Sequence, residues 1–270
     1  MGQLQVRKSE GFAVRWAVPW ALLAAGLGCS VAGEAPSPTP VPPTSTPKPT
    51  ATPEPTATRT PRPTADAAAT AAAEETEMAG FLDTLVRRDL AEVDRENLAG
   101  EVVFYSPDPY ELVVDTFNSY TYAPLDPGQE YSDFILHFDV TWDSKTGVAG
   151  CGVIFRSEED LEEGEQFRWQ AIRLSGYPGW DVELWRYGDW VSTATGDVRQ
   201  SSAINLGSGS KNEYVLEADG TVFTGFANGT KLGSATIARR STGEMAFFVW
   251  QESGRTSCLY ENVWLFSLTP

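Results

Sequence analysis

Two carboxylates and a crowd of aromatic rings are the residues in this sequence best suited to chemistry. Asp181 and Glu183 stand two apart in Asp181-Val182-Glu183-Leu184-Trp185-Arg186-Tyr187. On a β-strand such residues share a face, about 6.5–7 Å apart along the chain. Cleavage of a glycosidic bond with retention of configuration needs two carboxyl groups about 5–5.5 Å apart, so the spacing permits a pair. Trp185 takes the next position on that face, and the strand offers no third carboxylate. Trp169, Trp180, Trp185, Tyr187 and Trp190 fall in the same short span, with Arg173 and Arg186 among them. Flat rings stack on the apolar faces of pyranoses while charged groups take up hydroxyls, which is what a sugar platform requires. The candidate ligand-binding set is therefore Trp169, Arg173, Trp180, Asp181, Glu183, Trp185, Tyr187 and Trp190, with no catalytic residue assigned. Large aromatics also fill sandwich interiors, and that alternative stays open for these rings.

Other reactive residues are sparse. His137 is the only histidine, and it falls on the polar side of Phe134-Ile135-Leu136-His137-Phe138-Asp139-Val140-Thr141, where it reads as an outward strand residue. There is no Gly-x-Ser-x-Gly nucleophile elbow and no Cys/His spacing for zinc. Glu158-Glu159-Asp160-Leu161-Glu162-Glu163-Gly164-Glu165 concentrates carboxylates whose mutual repulsion a calcium ion would relieve. The run lacks the alternating Asp/Asn pattern of a calcium loop, and a solvated acidic loop or short helix is the other reading.

The elements that must position these residues begin with the cysteines, of which there are three. Cys29 ends an N-terminal apolar run, which leaves Cys151 and Cys258. If the protein is exported, those two can form a disulfide across a loop of about a hundred residues, stabilising by roughly 4–5 kcal/mol. Arg7, Lys8 and Arg15 precede the apolar run Trp16 to Gly28, a signal-peptide layout over residues 1–28. Gly26-Leu27-Gly28-Cys29 resembles the bacterial lipoprotein cleavage site, which implies a lipid anchor on Cys29; ordinary secretion and a retained membrane anchor remain alternatives.

Residues 29–65 are rich in Pro, Thr, Ser and Ala and contain nothing to bury. They read as a disordered linker, extended over Glu34 to Thr64 as a polyproline II spacer of ~90 Å at about 3.1 Å per residue. Over 66–99, Met78, Phe81, Leu82, Leu85, Val86, Leu90 and Val93 recur at spacings of three and four, which predicts one amphipathic helix ended by Gly100. Its stripe is expected to dock on the following domain or on another copy of itself.

From residue 100 to 270 the period shifts to two. Strands are expected near 102–105, 112–114, 134–141, 150–156, 167–174, 181–187, 190–195, 213–218, 221–227, 232–238, 244–250 and 257–268, with a turn over Pro124 to Gly128. Asp219-Gly220 and Asn228-Gly229 are dipeptides that tight hairpins favour. Seven of the nine tryptophans lie in this part, so it is read as one folded domain. Many short strands with no helical pattern between them predict an all-β antiparallel sandwich or jelly roll.

Phe134 to Trp142, Gly150-Cys151-Gly152-Val153-Ile154-Phe155-Arg156, the hairpin ending at Asn228-Gly229, and Cys258 with Glu261-Asn262-Val263-Trp264-Leu265 resemble the concanavalin A-like lectin/glucanase superfamily. The likeness runs over roughly 101–268 and is to the jelly-roll domains of bacterial surface lipoproteins, distant relatives of family 16 glycoside hydrolases. It implies two stacked antiparallel sheets whose concave face holds a glycan. The superfamily's glucanases carry a three-carboxylate cluster on one strand, and here Trp185 stands in the place of the third.

The formal charge of −17 argues against nucleic acid and anionic lipid surfaces and suits an exported protein. The expected role is non-catalytic recognition of carbohydrate or another extracellular ligand at the cell surface, with the membrane reached through the N-terminal lipid. A glycoside hydrolase and a structural or adhesive protein-binding module are the alternatives.

Overall fold

The computed structural model describes residues 6–7, 65–144, 147–252 and 254–268. The cleavage site at Cys29, most of the expected export signal and the Pro/Thr-rich spacer lie outside the described residues. In chain order the elements are β1 Val6–Arg7, α1 Ala65–Glu92, β2 Glu101–Ser106, β3 Tyr110–Val114, β4 Ser119–Pro124, β5 Phe134–Ser144, β6 Val148–Ser157, β7 Gln166–Leu174, β8 Tyr177–Arg186, β9 Asp189–Thr193, β10 Arg199–Gln200, β11 Ser210–Asp219, β12 Val222–Ala227, β13 Thr230–Thr236, β14 Glu244–Gln251 and β15 Thr256–Ser267.

The strands form two antiparallel sheets. The first runs β1-β4-β14-β6-β7-β8-β10, with β9 also on β8; the second runs β13-β12-β11-β5-β15-β2, with β3 also on β15. Alternation explains how they stack. Phe134, Leu136, Phe138, Val140 and Trp142 of β5 meet Cys151, Val153 and Phe155 of β6, Phe167, Trp169 and Ala171 of β7, and Phe247 and Val249 of β14 in one buried core. The result is an all-β sandwich of two antiparallel sheets, the fold class that the strand pattern predicts. Cys151 of one sheet and Cys258 of the other are joined by a disulfide, Cα–Cα 6.0 Å, so the bond crosses the core.

Two hairpins show how the turns select their residues. Asn228 and Gly229, between the paired Ala227 and Thr230, have φ of 49° and 72°, the two-residue turn that Asn-Gly favours. In the other, Asp219 pairs with Val222, so the loop residues are Gly220 and Thr221, and only Gly220 has positive φ, 53°. The expected Asp-Gly turn is shifted by one residue. β4 was not expected: its polar and aromatic residues alternate only briefly, and it closes on Pro124, which a sheet tolerates at a strand end.

Helix α1 docks on the outer face of the second sheet. Val86, Leu90 and Val93 bury against Ile135, Val215, Phe226, Trp264 and Phe266. The helix stops at Glu92 rather than at Gly100. Asp94 takes the left-handed conformation, φ 59°, and the Arg95 N–H donates to the Leu90 carbonyl at 2.7 Å, closing the end. Gly100 is needed for another reason, since a Cβ there would lie 2.1 Å from the Ser267 carbonyl oxygen.

The docked helix corrects the reading of His137. It points away from the core, as expected, but α1 covers it and leaves it 4% exposed. Its Nδ1 lies 2.9 Å from the Asn262 carbonyl oxygen and its Nε2 3.1 Å from Glu213 Oε1, while the ring stacks on Trp264 at 5.0 Å.

Candidate functional site

Among the described residues no helix lies over the outer face of the first sheet, and its side chains build a cleft. Gly150 and Gly152 set the floor. A Cβ on Gly150 would lie 2.4 Å from Trp250 Nε1, and one on Gly152 would lie 2.7 Å from Phe248 Cε1. Without those atoms the two β14 rings lie down across β6. A glycine in a strand marks such close approach. Cys151, between the two, faces inward to the disulfide, so one tripeptide serves both the staple and the cleft.

The cleft is lined by Asn118, Tyr120, Arg168, Gln170, Glu183, Trp185, Phe248 and Trp250 and encloses about 80 Å³. Its charged centre is Arg168. The guanidinium lies 4.1 Å from the Trp185 ring centroid and 5.4 Å from that of Tyr120, and Nε donates to Gln166 Oε1 at 3.2 Å. Burial pushes the Arg168 pKa down to about 10, opposed by the charge of Glu183 and a contact with Tyr120. The guanidinium is thus a cation held against rings in a poorly solvated place.

Glu183 accepts a hydrogen bond from Trp185 Nε1 at 2.8 Å, and burial raises its pKa against the pull of Trp185 and Arg168. Burial, and then the neighbouring Glu183, push Asp181 up to about 8, so it holds its proton at neutral pH. Asp181 Oδ1 has no hydrogen-bond partner among the described residues, and the residue is 1% exposed. Trp250 Nε1 donates to Gln170 Oε1, which fixes that ring's edge and leaves its face to the cleft.

The acidic run packs against Phe248 without lining the cleft itself. Leu161 packs on Ile154, Ala246 and Phe248. Asp160 Oδ1 accepts the N–H groups of Glu162 and Glu163 at 2.9 and 3.1 Å. Glu165 pairs with Arg186 and with Arg239 at 2.9 Å, and Glu158 with Arg240 at 3.0 Å. The run folds as a braced loop in which Glu158 and Glu165 are met by arginines, and among the described residues no group of three ligating side chains is gathered for a metal ion.

The candidates from sequence divide by strand face. Asp181, Glu183 and Trp185 share the outer face of β8, and Glu183 and Trp185 line the cleft. Tyr187 and Trp190 sit on the β8–β9 hairpin, 78% and 53% exposed. Trp169 and Trp180 are corrections: both lie fully buried between the sheets, where no solute reaches them. Their strands alternate as expected, but their side is the core side. Arg173 is a further correction, since its guanidinium donates to the carbonyls of Ser144 at 3.0 Å and Leu206 at 3.1 Å and so ties loops together.

Sequence reasoning missed Tyr120, Arg168, Gln170, Phe248 and Trp250. The available signal was the pair of glycines at 150 and 152, which predicts that something bulky crosses β6.

No protein-family model matches the sequence, and a search of curated proteins found no match. Among solved structures, the chain is similar to the carbohydrate-binding module CBM66 from Bacillus subtilis, at 18% identity over 62% of this chain and 95% of that one, TM-score 0.42. It is also similar to a Bacillus subtilis protein of unknown function with a galectin-like fold, at 10% identity over 62% and 96%, TM-score 0.43. Bacillus licheniformis β-glucanase is a third likeness, at 11% identity over 62% and 82%, TM-score 0.40.

Proposed function

We propose that this protein recognises carbohydrate, without cleaving it, in the cleft on the outer face of its first sheet. The observation that carries the reading is the cleft's composition: the rings of Tyr120, Trp185, Phe248 and Trp250 around one buried guanidinium, one carboxyl and the amides of Asn118, Gln170 and Gln251. Rings take the apolar face of a sugar, and Arg168, Glu183 and Gln170 supply donors and acceptors for its hydroxyls.

The neighbouring acids Asp181 and Glu183 invite a hydrolytic reading, but two carboxyl groups must flank the bond to be cut. Only Glu183 lines the cleft, while Asp181 is buried. That asymmetry favours binding over cleavage. The wider proposal is a cell-surface module: exported, carried on a lipid at Cys29 and held away from the membrane by the Pro/Thr-rich spacer. In the exported form Val6–Arg7 is cut away, which removes a two-residue pairing at the edge of the sheet. Calcium is a further proposal, to be read from the same experiment.

The test is a glycan-binding screen of the full chain, with and without calcium, beside Trp250→Ala. Saturable binding, weakened roughly tenfold or more by the substitution (about 1.4 kcal/mol), is expected. Silence across a broad panel from folded protein would overturn the reading and favour a protein-binding or structural module. Release of new sugar ends from a bound polymer would favour the hydrolase.

A further inference from the structure

We infer that the cleft continues onto the β8–β9 hairpin as a second subsite, with Trp190 as its stacking platform, so that the ligand is an oligosaccharide of at least two units. This rests on the carbohydrate reading of the cleft. Trp185, which lines the cleft, is the register partner of Trp190, with a bulge directly beside the pair. Directly opposed residues on antiparallel strands put their side chains on the same face. The strands lie about 4.8 Å apart, a step comparable to one sugar ring. A ring seated against Trp185 thus has its neighbour over β9.

The hairpin is rigid. Tyr187 and Gly188 both have positive φ, 55° and 73°, the two-residue turn whose twist matches its strands. The Tyr187 N–H donates to the Glu163 carbonyl at 2.6 Å, and Arg186 Nε donates to Glu165 Oε2 at 2.8 Å. Both contacts tie the hairpin to the acidic loop, whose Leu161 packs on the cleft residue Phe248. Trp190 and Val191 are nevertheless 53% and 44% exposed. A large ring held open to water on a fixed element, next to a cleft, is an aromatic anchor whose ordering cost is met before binding. Continuity with the cleft selects a sugar chain as occupant over a separate protein partner.

The experiment uses the full chain and calorimetric titration with glucose, galactose, mannose and fructose oligomers of one to four units. For the series that binds, affinity is expected to rise at least tenfold from one unit to two and to change little afterwards. In Trp190→Ala the ratio of two-unit to one-unit affinity should collapse toward one, and in Trp190→Phe it should be partly kept. In Trp250→Ala both affinities should fall while the ratio persists. Equal affinities for one and two units, or a ratio that survives Trp190→Ala, would overturn the subsite while leaving the cleft reading standing. No binding in any series would overturn both. Trp190 is exposed, so an unchanged melting temperature in Trp190→Ala is the control for folding.

Discussion

The two outer faces of the sandwich handle buried charge in opposite ways. On the second sheet, helix α1 closes over His137, and each polar atom beneath it finds a partner. His137 bridges Asn262 and Glu213, and Trp264 Nε1 donates to Asp89 Oδ2 at 3.2 Å. At the helix end, Arg95 pairs with Glu217 at 3.0 Å. On the first sheet, among the described residues, no helix arrives, and the charges are left imperfectly met. Asp181 keeps an oxygen without a partner and a pKa raised to about 8, Glu183 is also raised, and Arg168 is pushed down to about 10. A face that serves only packing satisfies its polar groups; on the face proposed to bind a ligand, Arg168 and Glu183 line the cleft within its reach, whereas Asp181 lies buried beside it.

Substitutions that act on one face alone test this contrast. Leu90, on the sheet-facing side of α1, is fully buried. Leu90→Ala should lower unfolding free energy by about 2–5 kcal/mol in urea denaturation, as cavity-forming substitutions do, while glycan affinity stays as in the parent. A loss of affinity matching the loss of stability would show that the two faces are not independent. Asp181→Asn acts on the open face with the opposite sign. In the folded protein Asp181 takes up its charge only near pH 8, whereas an ordinary aspartate does so near 3.8. The native state therefore loses stability as pH rises between those values, and Asn removes the loss. Urea unfolding at pH 4, 6 and 8 should show the variant gaining on the parent at each step, on the order of a few kcal/mol at pH 8. Parallel pH curves would mean that Asp181 is not held neutral.

The fold was far more legible than the cleft. Alternation in β5, β6, β8 and β14 marks strands wherever one side is uniformly apolar, and the cysteine pair follows from elimination plus export. What alternation cannot tell is which side of a doubly apolar strand is open. In β14, Met245, Phe247 and Val249 face the core while Ala246, Phe248 and Trp250 face outward, and both sets are hydrophobic. Trp169 and Trp180 fail for the same reason, since aromatic character suits a core as well as a sugar. Arg168 and Gln170 were hidden differently: a polar residue between apolar ones reads as a solvated position, and only the tertiary placement of Trp185 and Trp250 turns them inward. His137 was read as outward because α1, more than forty positions earlier in the chain, is invisible to a local pattern.

The smallest expected effect, and the one that probes the closed face most directly, is the pH dependence of His137. The Asn262 carbonyl and the Glu213 carboxylate can only accept hydrogen bonds, and a neutral imidazole has one N–H. Both contacts are made together only by the protonated ring. Burial alone would lower its pKa; the Glu213 bond, the Asn262 carbonyl and the charge of Asp89 outweigh it, and the folded value lies above the ordinary 6.5. Arg88 and Lys211 also bear on this cluster, through their influence on Glu213. A raised value on a histidine gives stability that is complete below pH 6.5 and is lost as pH rises through the folded pKa. Stability of the parent relative to His137→Gln should therefore fall as pH increases above about 6.5, and hydrogen exchange at 86–93 should quicken over the same range. Glycan affinity should not follow that titration, because His137 lies beneath the other face. A parent-to-variant difference that is flat with pH would mean that the ring is neutral and that the helix is held by its apolar contacts alone.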